Sequence, residues 1–349
     1  MLDESIEKEI KKCSRCALCL QNCPIYEIKK DENNTSRGLI CKLNGYQKKI
    51  LNESDIKKDL KICLNCTKCA SNCPSKINTS KIFAYKNAYF SPSKISQRIL
   101  LGAKLFPLKI LYFINLFKKI KYNPPKTKNL YFKGCVAKAQ HKTTFLDRLY
   151  NNENFLCCGL PYLTSGDLKN YNKAKEINSK IIKNAKMVVF DCASCKSAVS
   201  DYDTLNDEDK KKLVLFSDLI NNKNIELKEN SKYKNKTLTF HKPCHLSEEE
   251  FLKIEEFLKS IKGINYKRLE KYDSCCGFGG SYFVFHPIIS TKIALKKAKN
   301  IKLTNPDLIL TLCPSCTMGL RYNQLISFNF KKTLELRDFI ENETKMNSN

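Results

Sequence analysis

The residues best equipped for chemistry in this chain are its cysteines, 19 among 349 residues, and they are not scattered. Cys13, Cys16, Cys19 and Cys23 stand in CSRCALCLQNCP, and Cys63, Cys66, Cys69 and Cys73 in CLNCTKCASNCP. Both segments read Cys-x2-Cys-x2-Cys-x3-Cys-Pro. Thiolates at i, i+3 and i+6 on a tight loop converge on one side, where they can hold three corners of an iron–sulfur cube. The fourth, followed by Pro24 or Pro74, points elsewhere and in two-cube proteins completes the neighbouring cube. One cluster is therefore expected on Cys13, Cys16, Cys19 and Cys73, and its mate on Cys63, Cys66, Cys69 and Cys23. A pair of zinc sites is the competing reading of Cys-x2-Cys spacing. Zinc needs only two pairs of thiolates, so the third cysteine and the Cys-Pro of each motif would go unexplained.

The other cysteines form a second repeat. Cys135 in YFKGCVAKA is followed by Cys157 and Cys158 in CCGLP, then by Cys192 and Cys195 in FDCASC. Cys244 in FHKPCHL is followed by Cys275 and Cys276 in CCGFGG, then by Cys313 and Cys316 in TLCPSC. Each half thus offers one cysteine, an adjacent pair and a Cys-x2-Cys. Cys41 is left over and fits a small buried hydrophobe. Adjacent cysteines can share one small cluster only where the backbone turns sharply. Gly159 and Gly277 follow at once, and Gly279 and Gly280 add room for positive φ and close approach to inorganic sulfur. A dinucleotide loop is the other reading of CGFGG, but its strand–turn–helix context and acidic partner are missing.

These residues need elements to position them. Apolar runs directly precede four of the cysteines: Leu130 to Phe132, Met187 to Phe190, Leu238 to Phe240 and Leu308 to Leu312. Helical patterns lie between them, at Asp167 to Ala185 and Ile288 to Lys302, and Ser247 to Ile261 opens on a capping box. Strands alternating with helices predict parallel sheets, whose ligands gather beyond the carboxyl ends of the strands. The 39 residues between Cys23 and Cys63 carry helix-like patterns. The expected architecture is a multidomain α+β protein, an all-helical two-cluster ferredoxin module followed by duplicated α/β parallel-sheet lobes facing one another. The limits are 1–90 for the module, 91–127 for a basic apolar linker, and 128–230 and 231–340 for the lobes.

Composition narrows the alternatives. With 42% apolar and 28% charged residues, the chain suits a globular protein of two or three domains. The opening MLDESIEKEI lacks the basic and apolar stretches that export requires, so reduced thiols are expected and a disulfide framework is not. The uncharged run Ile110 to Phe117 is far short of the roughly 20 residues that span a bilayer. A net charge of +27 favours acidic partners. Lysines are spread along the whole chain, however, and anionic clusters would cancel part of that charge, so nucleic acid is not expected as a partner. His241 and His245 flank Cys244, and His286 follows the second pair; each is placed to tune a cluster, ligate it or shuttle a proton. His141 fits an ordinary helix position. No Ser-His-Asp set, paired carboxylates or phosphate loop accompanies the cysteines, so hydrolysis has no support.

The double CxxCxxCxxxCP followed by two CCG repeats resembles the iron–sulfur subunit of glycolate oxidase. It is similar as well to the D subunit of heterodisulfide reductase, the C subunit of anaerobic glycerol-3-phosphate dehydrogenase and the lactate-utilisation iron–sulfur protein. The resemblance covers nearly the whole chain and is especially close in HKPCHL, SCCGFGGSY and CPSC. It implies two [4Fe-4S] clusters in the first module and one or two non-cubane clusters in the CCG repeats. The first of these would use Cys135, Cys157, Cys158, Cys192 and Cys195, the second Cys244, Cys275, Cys276, Cys313 and Cys316. Many glycolate oxidase subunits have incomplete repeats, so five cysteines in each lean toward heterodisulfide reductase. The family's Ser-Pro-Arg-Gly stretch stands here as Thr35-Ser36-Arg37-Gly38.

Clusters without a flavin- or nicotinamide-binding sequence move single electrons and cannot by themselves oxidise a hydroxy acid by hydride transfer. The resemblance therefore implies an electron-transfer subunit of a flavin-dependent 2-hydroxy-acid oxidase or dehydrogenase. Glycolate or lactate would be oxidised on a partner flavoprotein, and electrons would leave to quinone or another acceptor. The alternative is a heterodisulfide reductase-like subunit that cleaves a disulfide at its CCG clusters; a zinc-stabilised binding scaffold is a third. The expected location is the cytoplasm. In the linker, Leu100, Leu101, Leu105, Leu108 and Leu111 are interleaved with Lys104 and Lys109 around Pro107. A helix packed on the lobes is expected there, with peripheral contact to anionic lipid at the inner face of the membrane as the alternative.

Anaerobically purified protein should contain about eight iron atoms from two cubanes alone, and more with filled CCG sites; stoichiometric zinc with little iron would end this reading. Cys73→Ser should damage the cluster on Cys13, Cys16 and Cys19. Loss of only the Cys63 cluster, seen by electron paramagnetic resonance, would overturn the crossed assignment.

Overall fold

The computed structural model describes residues 2–92, 127–139, 143–152, 154–220, 225–280 and 282–346. They form two compact units. The first gathers the N-terminal residues with 161–171 and 277–293; the second takes 127–160, 172–276 and the residues from 294 onward. The expected linker falls almost entirely outside the described residues, as does His141. Among the described residues no helix is long and apolar enough to cross a membrane.

The N-terminal part of the first unit is helical: α1 (Leu2–Lys11), α2 (Leu18–Gln21), α3 (Pro24–Lys29), α4 (Ser36–Gln47), α5 (Glu53–Leu60), α6 (Lys68–Ser71) and α7 (Thr79–Phe90). No strand occurs among the described residues up to 92. Apolar positions three and four apart turn inward, with Ile6 and Ile10 on α1, Leu39, Ile40 and Leu43 on α4, and Ile56 and Leu60 on α5 buried. A capping box between Asn52 and Asp55 starts α5, and the Asn78 side chain accepts from the Lys81 N–H at the start of α7. The long spacer between the two cysteine motifs is thus occupied by the helices that carry the unit's core.

The second unit contains nine strands among its described residues: β1 (Asn129–Phe132), β2 (Met187–Phe190), β3 (Leu213–Leu215), β4 (Ile225–Leu227), β5 (Thr237–His241), β6 (Asn265–Tyr266), β7 (Leu308–Thr311), β8 (Lys332–Glu335) and β9 (Thr344–Met346). One sheet has the order β1-β2-β3 and another β6-β5-β7-β8, with every neighbouring pair parallel. The short pair β4–β9 is antiparallel. Parallel strands are covered on both faces and read as continuous apolar runs. Leu130, Tyr131 and Phe132, then Val188, Val189 and Phe190, are buried without alternation, and Phe132 stacks on Phe190 with centroids 4.9 Å apart. The four strands expected from sequence are β1, β2, β5 and β7, each within a residue or two at its ends, and the expected helices appear as Leu168–Asn184, Glu248–Ser260 and Pro287–Thr304. Ser247 caps the second of these, closing a reciprocal box with Glu250.

A buried ion cluster ties the far end of the chain to the sheets. Arg337 is 1% exposed and pairs with Asp191, the residue after β2, while Nη2 lies 3.2 Å from Glu335 at the end of β8 and 3.2 Å from Asp338. The Tyr131 hydroxyl donates to Asp191 at 2.5 Å. One guanidinium thus faces three carboxylates. Burial pushes Glu335 up to about 7, with Asp191 and Asp338 adding to the effect against the pull of Arg337.

Removing one partner of a buried pair leaves the other charge uncompensated, so Arg337→Met should cost about 3–5 kcal/mol of stability. Arg337→Lys should not restore it, because an ammonium cannot reproduce the fork. Both are checked by denaturant unfolding. Glu335 has its folded pKa raised, so the stability it contributes is full below about 4.3 and is lost as pH rises through about 7. Glu335→Gln should therefore gain on the wild type in unfolding midpoint as pH rises across that window. A constant difference would show that Glu335 does not titrate there.

Candidate metal centres

In the first unit both cysteine motifs are shaped by strained backbone. Arg15 and Ala17 have φ of 60° and 67°, and Asn65 and Thr67 at the matching places of the second motif have φ of 52° and 58°. Left-handed residues other than glycine cost roughly 1–2 kcal/mol each and persist where something else fixes them. Here they fold each Cys-x2-Cys-x2-Cys back on itself, and Cys23 follows as the cap of α3 with Pro24 at its first position. Cys13, Cys16, Cys19 and Cys73 line one small cavity together with Cys69. The Cys63 thiol is pushed up by burial and by its neighbours Cys69 and Cys23. Burial likewise pushes Cys19 up to about 11, with Cys69 and Cys13 adding to it. Cys69 therefore stands between the two sets.

Sequence reading missed the hydroxyls that serve these sulfurs. Thr79 Oγ1 lies 2.7 Å from Cys69 Sγ, and the Ser36 hydroxyl hydrogen-bonds both Cys19 and Cys69. The signal was present in Thr35-Ser36-Arg37-Gly38. A Cβ on Gly38 would sit 2.2 Å from the Glu32 carbonyl oxygen, so only glycine lets α4 start close enough to deliver Ser36.

In the second unit a cysteine or cysteine pair follows the carboxyl end of four strands: Cys135 after β1, Cys192 after β2, Cys244 after β5 and Cys313 after β7. Sulfur-to-sulfur contacts then run in one line. Cys135 touches Cys157, Cys157 touches Cys158, Cys158 touches Cys195, and Cys195 touches Cys192. Cys192 touches Cys313 of the other repeat, Cys313 touches Cys316, and Cys316 lies 3.8 Å from Cys276. Cys275 is buried beside Cys276, and Cys244 is half-buried. Thiols from Cys157 and Cys195 hold Cys158 well below the usual range, and those of Cys192 and Cys316 do the same for Cys313. Gly159 and Gly277 have φ of 78° and 84°, the sharp turn that adjacent cysteines require. Gly279, at φ 53°, makes its close approach to Leu64, where a Cβ would come within 2.9 Å, rather than to a sulfur.

The histidines divide three ways. His241 is fully buried and brings a ring nitrogen within 4.8 Å of the Cys276 and Cys316 sulfurs, a group of three metal-binding donors. His245 Nδ1 lies 3.1 Å from Ser194 Oγ, which is itself 3.4 Å from Cys313 Sγ. His286 belongs to the first unit, where its ring hydrogen-bonds the Lys61 backbone and burial pulls its pKa down. Clustered thiols on strained loops, with hydroxyl donors aimed at them, are the donor chemistry that iron–sulfur clusters take. When bound, such clusters supply one-electron chemistry.

Comparison with known proteins agrees with this donor set. Residues 9–77 match the 4Fe-4S dicluster domain, and residues 130–200 and 238–321 each match the cysteine-rich CCG domain. The B subunit of the CoM/CoB fumarate reductase of Methanothermobacter marburgensis is 29% identical over 48% of this chain and 34% of its own length. This chain thus matches about a third of that relative. Lactate utilization protein A of Shouchella clausii is 28% identical over 48% of this chain and 75% of that protein. The D subunit of the dihydromethanophenazine:CoB–CoM heterodisulfide reductase of Methanosarcina acetivorans is 26% identical over 95% of this chain and 92% of that one. Among solved structures, a hypothetical protein from Helicobacter pylori shares the fold at a TM-score of 0.50 and 14% identity, covering 87% of this chain and 66% of that one. The chain thus joins a 4Fe-4S dicluster domain to two CCG cysteine-rich domains and is homologous to proteins named as iron–sulfur subunits of glycolate oxidase, lactate utilization protein A and the D subunit of heterodisulfide reductase.

Proposed function

We propose that this protein passes electrons one at a time within an oxidoreductase complex whose substrate is transformed on a partner chain. The observation that carries the reading is the line of sulfurs from Cys135 to Cys276, continuous through the contact of Cys192 with Cys313. Cys13, Cys16, Cys19 and Cys73 would hold one cubane and Cys63, Cys66, Cys69 and Cys23 the other. The CCG cysteines would hold one or two further clusters, in lobes spanning about 128–230 and 231–340. The partner is a flavoprotein that oxidises a 2-hydroxy acid such as glycolate or lactate, and the acceptor is a quinone or a comparable carrier. Similarity to glycolate oxidase and lactate-utilisation proteins supports that partner.

A second reading, reductive cleavage of a disulfide at the CCG lobes, is favoured by two observations. Both repeats keep all five cysteines, and the relative matched along nearly the whole chain belongs to a heterodisulfide reductase. The electron balance is simple: two electrons and two protons convert one disulfide into two thiols.

Complex isolated through a tag on this chain should contain flavin, and its cluster absorbance should bleach on addition of glycolate or lactate. Absence of flavin, together with reoxidation of dithionite-reduced protein by a small disulfide but not by duroquinone, would replace the first reading with the second. In either case Cys192→Ser should slow reoxidation at least tenfold while leaving the eight N-terminal cysteines' iron in place. An unchanged rate would show that electrons do not use this sulfur line.

A further inference from the structure

The second repeat carries a nitrogen donor at a place where the first has none. His241 closes β5 three residues before Cys244, and Phe132 closes β1 three residues before Cys135. The two places correspond in the sheets as well: Phe132 pairs with Phe190 and His241 with Thr311, each two residues ahead of a Cys-x2-Cys. Phe132 is ordinary core, with its ring centroid 4.9 Å from that of Phe190 and 4.8 Å from that of Phe155. Packing at this place is thus met by an apolar ring, and burying an imidazole there costs free energy unless the ring is bonded.

What the imidazole meets is a pair of thiols. A ring nitrogen of His241 and the sulfurs of Cys276 and Cys316 lie within 4.8 Å of one another, and all three residues are buried, His241 completely. The two sulfurs are 3.8 Å apart. Thiolates about 2.3 Å from a tetrahedral metal stand about 3.8 Å from one another, so this pair is spaced as two ligands of one metal atom. The surroundings hold the donors in place. Thr311 Oγ1 donates to the His241 carbonyl at 3.1 Å. Asn323 follows Cys316 by seven residues on the helix Pro314–Ile326, which puts both on one face, and its amide nitrogen donates to the Cys276 carbonyl at 3.2 Å.

We propose that His241 is a ligand of the second CCG centre: one iron atom takes Cys276, Cys316 and the His241 imidazole, whereas the first centre is bound by thiolates alone. The proposal rests on the reading above in taking that centre as an iron–sulfur cluster. Imidazole is a ligand that iron accepts, and unlike thiolate it brings no negative charge. Nitrogen ligation raises the reduction potential of an iron–sulfur centre above that of its all-thiolate counterpart. The second centre is then the stronger electron acceptor of the two, and electrons that enter the sulfur line at Cys135 run downhill toward Cys276.

The test uses the full chain, produced with isotopically labelled histidine and Mössbauer-active iron and purified anaerobically. Pulsed electron paramagnetic resonance should show a histidine nitrogen coupled to a cluster. His241→Phe, which copies the first repeat, should lose that coupling. His241→Cys, which offers a thiolate instead, should lose it too while keeping the full iron content and lowering the potential of one centre. Mössbauer spectra register every iron whatever its spin state, and one iron site should differ between the wild type and His241→Phe. Spectra that coincide, a nitrogen coupling that survives His241→Phe, zinc in place of iron at the second repeat, or equal loss of iron from both variants would overturn the proposal. None of these results bears on flavin content or on bleaching by glycolate or lactate, so the two readings fail separately.

Discussion

The arrangement of sulfurs in the second unit depends on one buried ion pair. Asp191 closes β2 and precedes Cys192 directly, and Arg337 reaches it from the helix that follows β8. With Asp191 held, the Ala193 N–H donates to the Leu312 carbonyl at 2.9 Å, the residue before Cys313. Two Cys-x2-Cys turns from opposite halves of the chain are thereby set side by side, and their first sulfurs touch. A buried pair of this kind contributes little net stability compared with an apolar replacement. Its consequence here is register. Slippage of either turn by one residue would exchange Cys192 or Cys313 for Asp191, Ala193, Leu312 or Pro314, none of which can take the place of a thiol.

The first unit answers the same demand by a different means. Among the described residues, local backbone shapes the loops that carry its thiols. Left-handed residues stand at equivalent places in both motifs, and Cys13, Cys16 and Cys19 of the first line one small cavity. Gly38 then admits α4 against the turn at Glu32, and Ser36 is carried to Cys19 and Cys69. A strained loop of this kind is stable when ligation offsets the strain, which makes folding of the unit and loading of its sites one process. In the second unit, sheets and an ion cluster form the frame, so its strands do not rely on ligation in the same way.

This contrast explains what could be read in the sequence. Local signals survived translation into structure: strand limits before Cys135, Cys192, Cys244 and Cys313, the cap at Ser247 and the helical spacer between the cysteine motifs. Contacts between distant segments did not. Nothing in FDCASC or TLCPSC announces that Cys192 meets Cys313, 121 positions later. Arg337 gave no signal either, because a lone arginine in a charged helix looks like a solvated one. Strand β8, KTLE, was missed because only Thr333 and Glu335 turn inward at the sheet edge, so its pattern is polar. His241 was noted for lying near Cys244, yet its ring approaches Cys276 and Cys316, which the parallel pairing of β5 with β7 brings to the same end of the sheet.

The glycines after the cysteine pairs acquire a meaning that spacing alone could not supply. Sequence reasoning assigned them to accommodating inorganic sulfur. Residues 161–171 and 277–293, which follow those pairs, are nevertheless part of the first unit, whereas the cysteines are part of the second. Gly159 and Gly277 are therefore where the chain must change direction within a residue or two of a buried thiol, a demand that positive φ meets at no steric cost. Gly279 serves the packing of the first unit itself, against Leu64 beside Cys63. One short motif, Cys-Cys-Gly, thus stands in the middle of a ligand set of the second unit and also opens a segment that packs in the first.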